Sequence, residues 1–137
     1  MAFSVRPIEY FYVNVRDELG VAYHVLSALA ERGVNLLAFT VVPSGEGHAQ
    51  FALFPEDPSQ FVAEACLAQI EAEGPHYALL VQGDDELGGL ARIHERLFKV
   101  GVDVYASSGV SDGRGSFGYI VYVREDRFEQ AVEALEL

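Results

Sequence analysis

The chain is poor in cysteine and in basic residues. Cys66 is the only cysteine among 137 residues, so a disulfide within the chain is impossible and a cysteine-rich metal site is excluded. Only 9 lysines and arginines stand against 21 aspartates and glutamates, which gives a formal net charge of −12. Because such a field repels phosphate backbones and anionic lipids, we expect neither nucleic acid nor a membrane surface as a partner.

Long apolar runs and tryptophan are also missing. No stretch approaches the length that spans a bilayer, and the start of the chain has no basic segment followed by an apolar one. We therefore expect a cytoplasmic protein. Hydrophobic residues nevertheless make up 50% of the sequence, with Tyr and Phe as the aromatics, which is enough for a packed core and argues against disorder.

The sequence does contain an internal repeat. The tetrapeptide Asp-Glu-Leu-Gly occurs at 17–20 and again at 85–88, and Gly-Val-Asn at 33–35 returns as Gly-Val-Asp at 101–103. Both pairs are 68 positions apart, and a constant offset indicates a duplicated structural unit. We place one domain at 1–74 and a second at 75–137. Because units of this size are small for a stable core, we expect them to pack together.

The predicted elements follow the same order in both copies. The first copy shows strand periodicity at 8–15, 35–42 and 49–54 and helix periodicity at 19–32 and 58–70. The second copy shows strands at 77–82, 102–108 and 117–123 and helices at 88–99 and 127–135. The order β-α-β-β-α predicts an α+β fold of ferredoxin-like type, with helices on one face of an antiparallel sheet.

A complete ferredoxin-like unit needs a fourth strand, which neither copy supplies within its own segment. Ala2–Val5 could cross over and complete the second copy, or an edge could stay bare and pair with another chain. The residues leave both alternatives open.

The second face of the sheet is predicted to be apolar. It would carry Tyr10 and Tyr12, with Phe51 or Tyr119 on neighbouring strands. Because this much apolar surface is rarely left in water, we expect the other copy or a homodimer to cover it.

The repeated pattern resembles the ACT domain. The features that match are a strand, an acidic loop in which Leu-Gly opens a helix, and Gly-Val-Asn leading into the next strand. Both copies match along nearly their whole length, so the chain is similar to a tandem ACT protein. The resemblance implies a non-catalytic regulatory protein without a cofactor. It also implies an amino acid or similar small metabolite bound at an interface between ACT units, a homodimer and an effector protein that reads the occupancy.

The resemblance also implies which residues contact the ligand. They are Val15, Asp17, Leu19, Gly20 and Asn35 in the first copy, and Gly83, Asp85, Leu87, Gly88 and Asp103 in the second. Free N–H groups at a helix start, together with the helix dipole, suit the ligand's carboxylate. A side-chain acceptor suits its ammonium group. The alternative for Asp17, Glu18, Asp85 and Glu86 is that they cap the two helices.

We expect no catalytic or metal site. The four histidines do not recur at matched positions and lack the spacing of a metal-binding helix. Cys66 lies beside Val62 and Ile70 in the helical pattern and is expected in the core. Two other functions stay open. One is a small dimeric enzyme with His24, His76 or His94 near a carboxylate in a cleft, and the other is an interaction module that works through its sheet edges.

Overall fold

A computed structural model describes residues 3–136 of the chain and divides them into two units. The central unit comprises residues 9–76, and the split unit combines residues 3–8 with residues 77–136. Each unit has its own helix-side hydrophobic core. The predicted α+β fold class is confirmed. Residue 2, the first of the proposed N-terminal strand, lies outside the described residues, as do residues 1 and 137 of the two predicted domains.

The strands and helices follow the predicted order. They are β1 (Phe3–Arg16), α1 (Val21–Glu31), β2 (Leu36–Pro43), β3 (His48–Pro55), α2 (Pro58–Leu67), β4 (Glu73–Asp84), α3 (Gly89–Lys99), β5 (Val104–Ser111), β6 (Ser116–Val123) and α4 (Phe128–Glu136). Three boundaries differ clearly: β1 begins at Phe3 instead of residue 8, β4 begins at Glu73 instead of residue 77, and α2 ends early. Helix α2 begins as predicted, with Asp57 accepting from the Gln60 N–H, but it ends at Leu67 instead of near Ile70. Gly74 and Pro75 lie inside β4.

The central unit has the strand order β2-β3-β1, with the first residues of β4 on the other side of β1. Val13 lies opposite Phe51 and Phe51 opposite Val41, so this row of three side chains points to one face of the sheet. Helices α1 and α2 cover that face through Leu29, Phe61 and Ala65. Val13 and Phe51 belong to the helix-side core, whereas Val41 is partly exposed beside it.

The split unit repeats this arrangement with the order β1-β4-β6-β5, in which β1 contributes its first residues. Val81 lies opposite Tyr119 and Tyr119 opposite Gly109, which is the row equivalent to the one in the central unit. Helices α3 and α4 cover it through Ile93, Leu97 and Ala131. The two units therefore have equivalent but separate cores, and their elements follow the same order.

The fourth strand of the split unit comes from the start of the chain. Phe3 and Val5 pack against its core, the Arg96 guanidinium lies 5.1 Å from the centre of the Phe3 ring, and the Ser4 hydroxyl donates to the Gln82 carbonyl oxygen at 3.5 Å. Of the two alternatives for the missing strand, the crossing N-terminal strand is thus the one that the structure adopts. In the central unit, the first residues of β4 occupy the fourth position.

Two expectations about side-chain placement were wrong. Phe51 and Tyr119 belong to the helix-side cores and not to the second face, because they pair with Val13 and Val81. The second face of the central unit carries Tyr10, as predicted, but its aromatic neighbour there is Phe54, whose ring stacks on Tyr10 with a centroid distance of 4.9 Å.

Cys66 was also predicted incorrectly, since its side chain is exposed. Phe61 and Ala65 supply the core-facing side of α2, and this turns Val62 and Cys66 outward. Among the described residues, no helix combines the length and the apolar character needed to cross a membrane.

Candidate functional site

An open cleft lies beside the start of the first helix of each unit. The α1 cleft of the central unit has a volume of about 430 Å³ and is lined by the loop 17–20, Val21 and Ala22 of α1, and Val41, Ala49 and Phe51 of the sheet. The α3 cleft of the split unit has a volume of about 140 Å³. Its lining includes Asp85, Glu86, Gly89, Leu90, Gly109 and Phe117, each 68 positions after a lining residue of the α1 cleft. The two copies of the repeat therefore form clefts at equivalent positions.

Both helices begin next to a glycine in the left-handed conformation. Gly20 has φ 84° and Gly88 has φ 80°, and neither helix start is capped by a side chain. A Cβ is strained at such angles, so the backbone requires glycine here whether or not a ligand binds. The space beside Gly88 is open, and at Gly20 only the ring of His24 lies within 4 Å of the point that a Cβ would occupy.

Unpaired N–H groups remain at both helix starts. The first helical N–H donates to a loop carbonyl in each case, from Val21 to Glu18 and from Gly89 to Glu86. Within the described part of the chain, the next two N–H groups of each helix have no acceptor: Ala22 and Tyr23 in α1, Leu90 and Ala91 in α3. Free N–H groups at the positive end of a helix dipole suit a carboxylate.

The acidic residues before the helices do not cap them. The N-cap residues are the two glycines, and neither first turn contains an acid, so the capping alternative is wrong. Asp17 and Asp85 instead hold the loop through their backbone N–H groups, which donate to Gly47 and Gly115 in the adjacent hairpin turns. The side chain of Asp85 also accepts from the Ser111 hydroxyl at 3.0 Å. Both carboxylates therefore line the clefts without capping the helices.

Four other residues of the predicted site, two on strands and two in loops, lie at the clefts or beside them. Val15 is half-buried on β1 opposite Ala49, and Gly83 takes the equivalent place opposite Phe117. Leu19 and Leu87 are fully exposed, at 104% and 103%. Leu19 lines the α1 cleft, and Leu87 occupies the matching loop position of the split unit.

Asn35 and Asp103 lie away from the clefts of their own units. Asn35 comes six residues before Val41 along β2, a distance of about 20 Å at the usual strand rise. Its side-chain amide donates to Glu56 Oε2 at 2.6 Å. Asp103 has the same position before β5 and is exposed. Within a single unit, the structure thus does not bring Asn35 together with Gly20, or Asp103 with Gly88.

Three sheet residues that sequence reasoning missed form the floor and wall of the α1 cleft: Val41, Ala49 and Phe51. Their counterparts in the split unit are Gly109, Phe117 and Tyr119. The strand register gives the signal that could have found them, since Val41 and Phe51 form a cross-strand pair on the helix face.

The histidines are not part of either cleft lining. His94 Nε2 is hydrogen-bonded to the Tyr119 hydroxyl at 2.6 Å, and His76 Nε2 lies 3.8 Å from Glu73 Oε1 with its ring beside Tyr10 and Tyr12. Over residues 3–136, no group of three or more His, Cys, Asp or Glu side chains is placed to hold a metal ion.

The repeated cleft can be compared with known proteins. Residues 10–74 match the family model of the ACT domain. This segment is an ACT domain. No curated protein matches the sequence.

Solved structures with a similar fold span nearly the whole chain. Protein BT0572 from Bacteroides thetaiotaomicron is 13% identical, with a TM-score of 0.82 over 96% of this chain and 88% of that one. The ligand-free regulatory subunit of aspartate kinase from Thermus thermophilus is 20% identical, with a TM-score of 0.66 over 98% and 94%. The regulatory subunit from Thermus flavus is 19% identical, with a TM-score of 0.59 over 98% and 94%. At these identities the likeness shows the fold.

The ACT domain contains the whole α1 cleft, since the match covers every residue that lines it. ACT domains are regulatory modules that bind small ligands. The match therefore supports a ligand-binding regulatory role for the segment 10–74.

Proposed function

We propose that the protein is a non-catalytic sensor built from two ACT units, the central unit and the split unit, which correspond in most of their residues to the predicted domains 1–74 and 75–137. Each unit binds an amino acid or a related small metabolite at its helix-start cleft, at an interface with another ACT unit, and an effector protein reads the occupancy. The observation that carries this proposal is the matched pair of clefts, each with two unpaired helix N–H groups beside an acidic loop.

The chemistry of each cleft suits a zwitterion. In the α1 cleft the ligand's carboxylate accepts from the N–H groups of Ala22 and Tyr23, and its ammonium group donates to the carboxylate of Asp17. In the α3 cleft Asp85 takes the same role. The hydrogen bond from Ser111 holds the Asp85 carboxylate in place, which favours binding because less side-chain freedom is lost.

A second ACT unit is needed to complete the site. Asn35 lies about 20 Å from Val41 of its own unit, so it reaches a ligand only in a cleft of a neighbouring unit. Leu19 and Leu87 are fully exposed at matched positions beside the clefts and gain most from such a contact. A homodimer supplies the neighbouring unit. The fold likeness to aspartate kinase regulatory subunits supports a regulatory output.

The proposal is tested by calorimetry and thermal shift against the twenty proteinogenic amino acids. We expect at least one of them to bind and to raise the melting temperature. Asp17→Asn should then weaken binding about tenfold or more, because a charge-assisted hydrogen bond to the ammonium group is lost. Glu31→Gln is the matched control, since it removes one negative charge from the exposed far end of α1.

Asn35→Ala separates a site within one unit from a site between units. We expect Asn35→Ala to lower the affinity for the amino acid, and we expect light scattering to show that the protein forms a dimer. The two results together support a binding site at an interface between units. Silence across the whole amino-acid panel, or equal effects of Asp17→Asn and Glu31→Gln, would count against the proposed function.

A further inference from the structure

The α1 cleft has an apolar floor and wall. Val41 of the edge strand β2 and Phe51 of β3 lie directly opposite each other on the helix face, with Ala49 two residues before Phe51. Val21 and Ala22 of α1 close the cleft from the other side. Polar and charged groups lie only in the loop 17–20 and at the free helix N–H groups. The remainder of a ligand that is bound at those polar groups therefore contacts the apolar floor and wall of the cleft.

The α3 cleft differs at the same positions. Phe117 stands where the central unit has Ala49, so a larger side chain lines the α3 cleft at this position. Gly109 replaces Val41, so the edge strand has no side chain at this position, and its neighbours Val110 and Ser111 line the cleft there. The volume falls from about 430 Å³ to about 140 Å³. Small-molecule pockets usually have about 300–1,000 Å³, a range that only the α1 cleft reaches.

We infer that the α1 cleft selects an amino acid with a large apolar side chain, aliphatic or aromatic, which packs on Val41, Ala49 and Phe51. This inference rests on the proposed function and specifies its ligand. The smaller α3 cleft accepts at most a ligand with a small side chain. The two units consequently differ in specificity although they share a fold.

Calorimetry with a graded series of amino acids tests the inference on the full chain: glycine, alanine, valine, leucine and phenylalanine, with aspartate and lysine as charged comparisons. We expect leucine or phenylalanine to bind at least tenfold more tightly than alanine, on the basis of about fourfold for each additional buried methylene. Aspartate and lysine should bind more weakly than leucine, because their charged ends would lose water against an apolar wall.

Val41→Ala locates the selectivity. We expect it to weaken leucine binding about fourfold or more and to leave glycine binding unchanged. Val42→Ala is a closely matched control. Val42 is the next residue on the same strand, is equally exposed at 45%, points to the opposite face and does not line the cleft. Neither substitution is expected to prevent folding, since both side chains are half in solvent.

The possible failures are distinguishable. If no amino acid binds, the proposed function itself fails. If amino acids bind but glycine, aspartate or lysine is preferred, or if Val41→Ala and Val42→Ala behave alike, the proposed function stands and the inferred selectivity is overturned.

Discussion

The central and split units use the same skeleton and fill it differently near their clefts. Leu29 and Leu97 occupy equivalent helix positions and are equally buried, at 1% exposure each. Beside the clefts, by contrast, Ala49 is replaced by Phe117 and Val41 by Gly109. This core leucine has therefore been retained between the copies, while these two sheet positions that border the cleft have changed in volume. This distribution is what two sites of different specificity on one fold require.

The hydrogen bonding beside the clefts also differs. In the split unit His94 and Tyr119 form a short hydrogen bond between helix and sheet. The equivalent residues of the central unit are Leu26 and Phe51, which cannot form this bond. The split unit thus has a polar link between helix and sheet at positions that are apolar in the central unit.

The largest expected effect tests whether the two cores are equivalent. Leu29→Ala and Leu97→Ala should each lower the free energy of unfolding by about 2–5 kcal/mol, because each leaves a cavity under a helix. Urea denaturation followed by circular dichroism measures both. Val62→Ala, at an exposed position of α2, should change stability by less than about 0.5 kcal/mol. A near-neutral result for only one of the leucines would break the equivalence of the two cores.

The second prediction concerns Gly109, which replaces Val41 in the split unit. A Cβ added at Gly109 would lie 2.7 Å from the Tyr119 ring, so Gly109→Ala should lower the free energy of unfolding by about 1–3 kcal/mol. A Cβ added at Gly118 meets nothing within 4 Å, and Gly118→Ala is the control with little expected effect. Denaturation curves for the two variants compare them directly. Equal stability would show that Tyr119 moves aside without strain.

The order of elements was predictable from the sequence, because periodicity and turn residues indicate each strand and helix. The faces of β3 were not. Nearly all of its residues from Ala49 to Pro55 are buried, so no alternation of polar and apolar side chains marks the helix face. That is why Phe51 was assigned to the wrong side. The prediction for Cys66 was wrong for a similar reason. Apolar residues lie on several sides of α2, so their spacing alone does not identify the side that faces the core.

The loops of the candidate site were predictable, but the assembly of the site was not. The repeated Asp-Glu-Leu-Gly located both helix starts, where the structure has Gly20 and Gly88 at the N-caps. Asn35 follows α1, and an 11-residue helix separates its two ends by about 16 Å. The resemblance to the ACT family placed Asn35 in the same group as Gly20, although within one unit the helix carries it to the other end. The residues that line the cleft from β2 and β3 required the strand register.

The smallest effect concerns the hydrogen bond between His94 and Tyr119. Tyr119→Phe should lower the free energy of unfolding by about 1 kcal/mol, since it removes the hydroxyl and leaves a partly buried imidazole nitrogen without its partner. Adding His94→Leu imports the apolar pair of the central unit at both positions, so the double variant should recover part of that loss. A double-mutant cycle measured by urea denaturation gives the coupling energy between the two side chains. A coupling near zero would mean that the hydrogen bond contributes nothing to stability, and the difference between the two units would then lie only in the shape of their clefts.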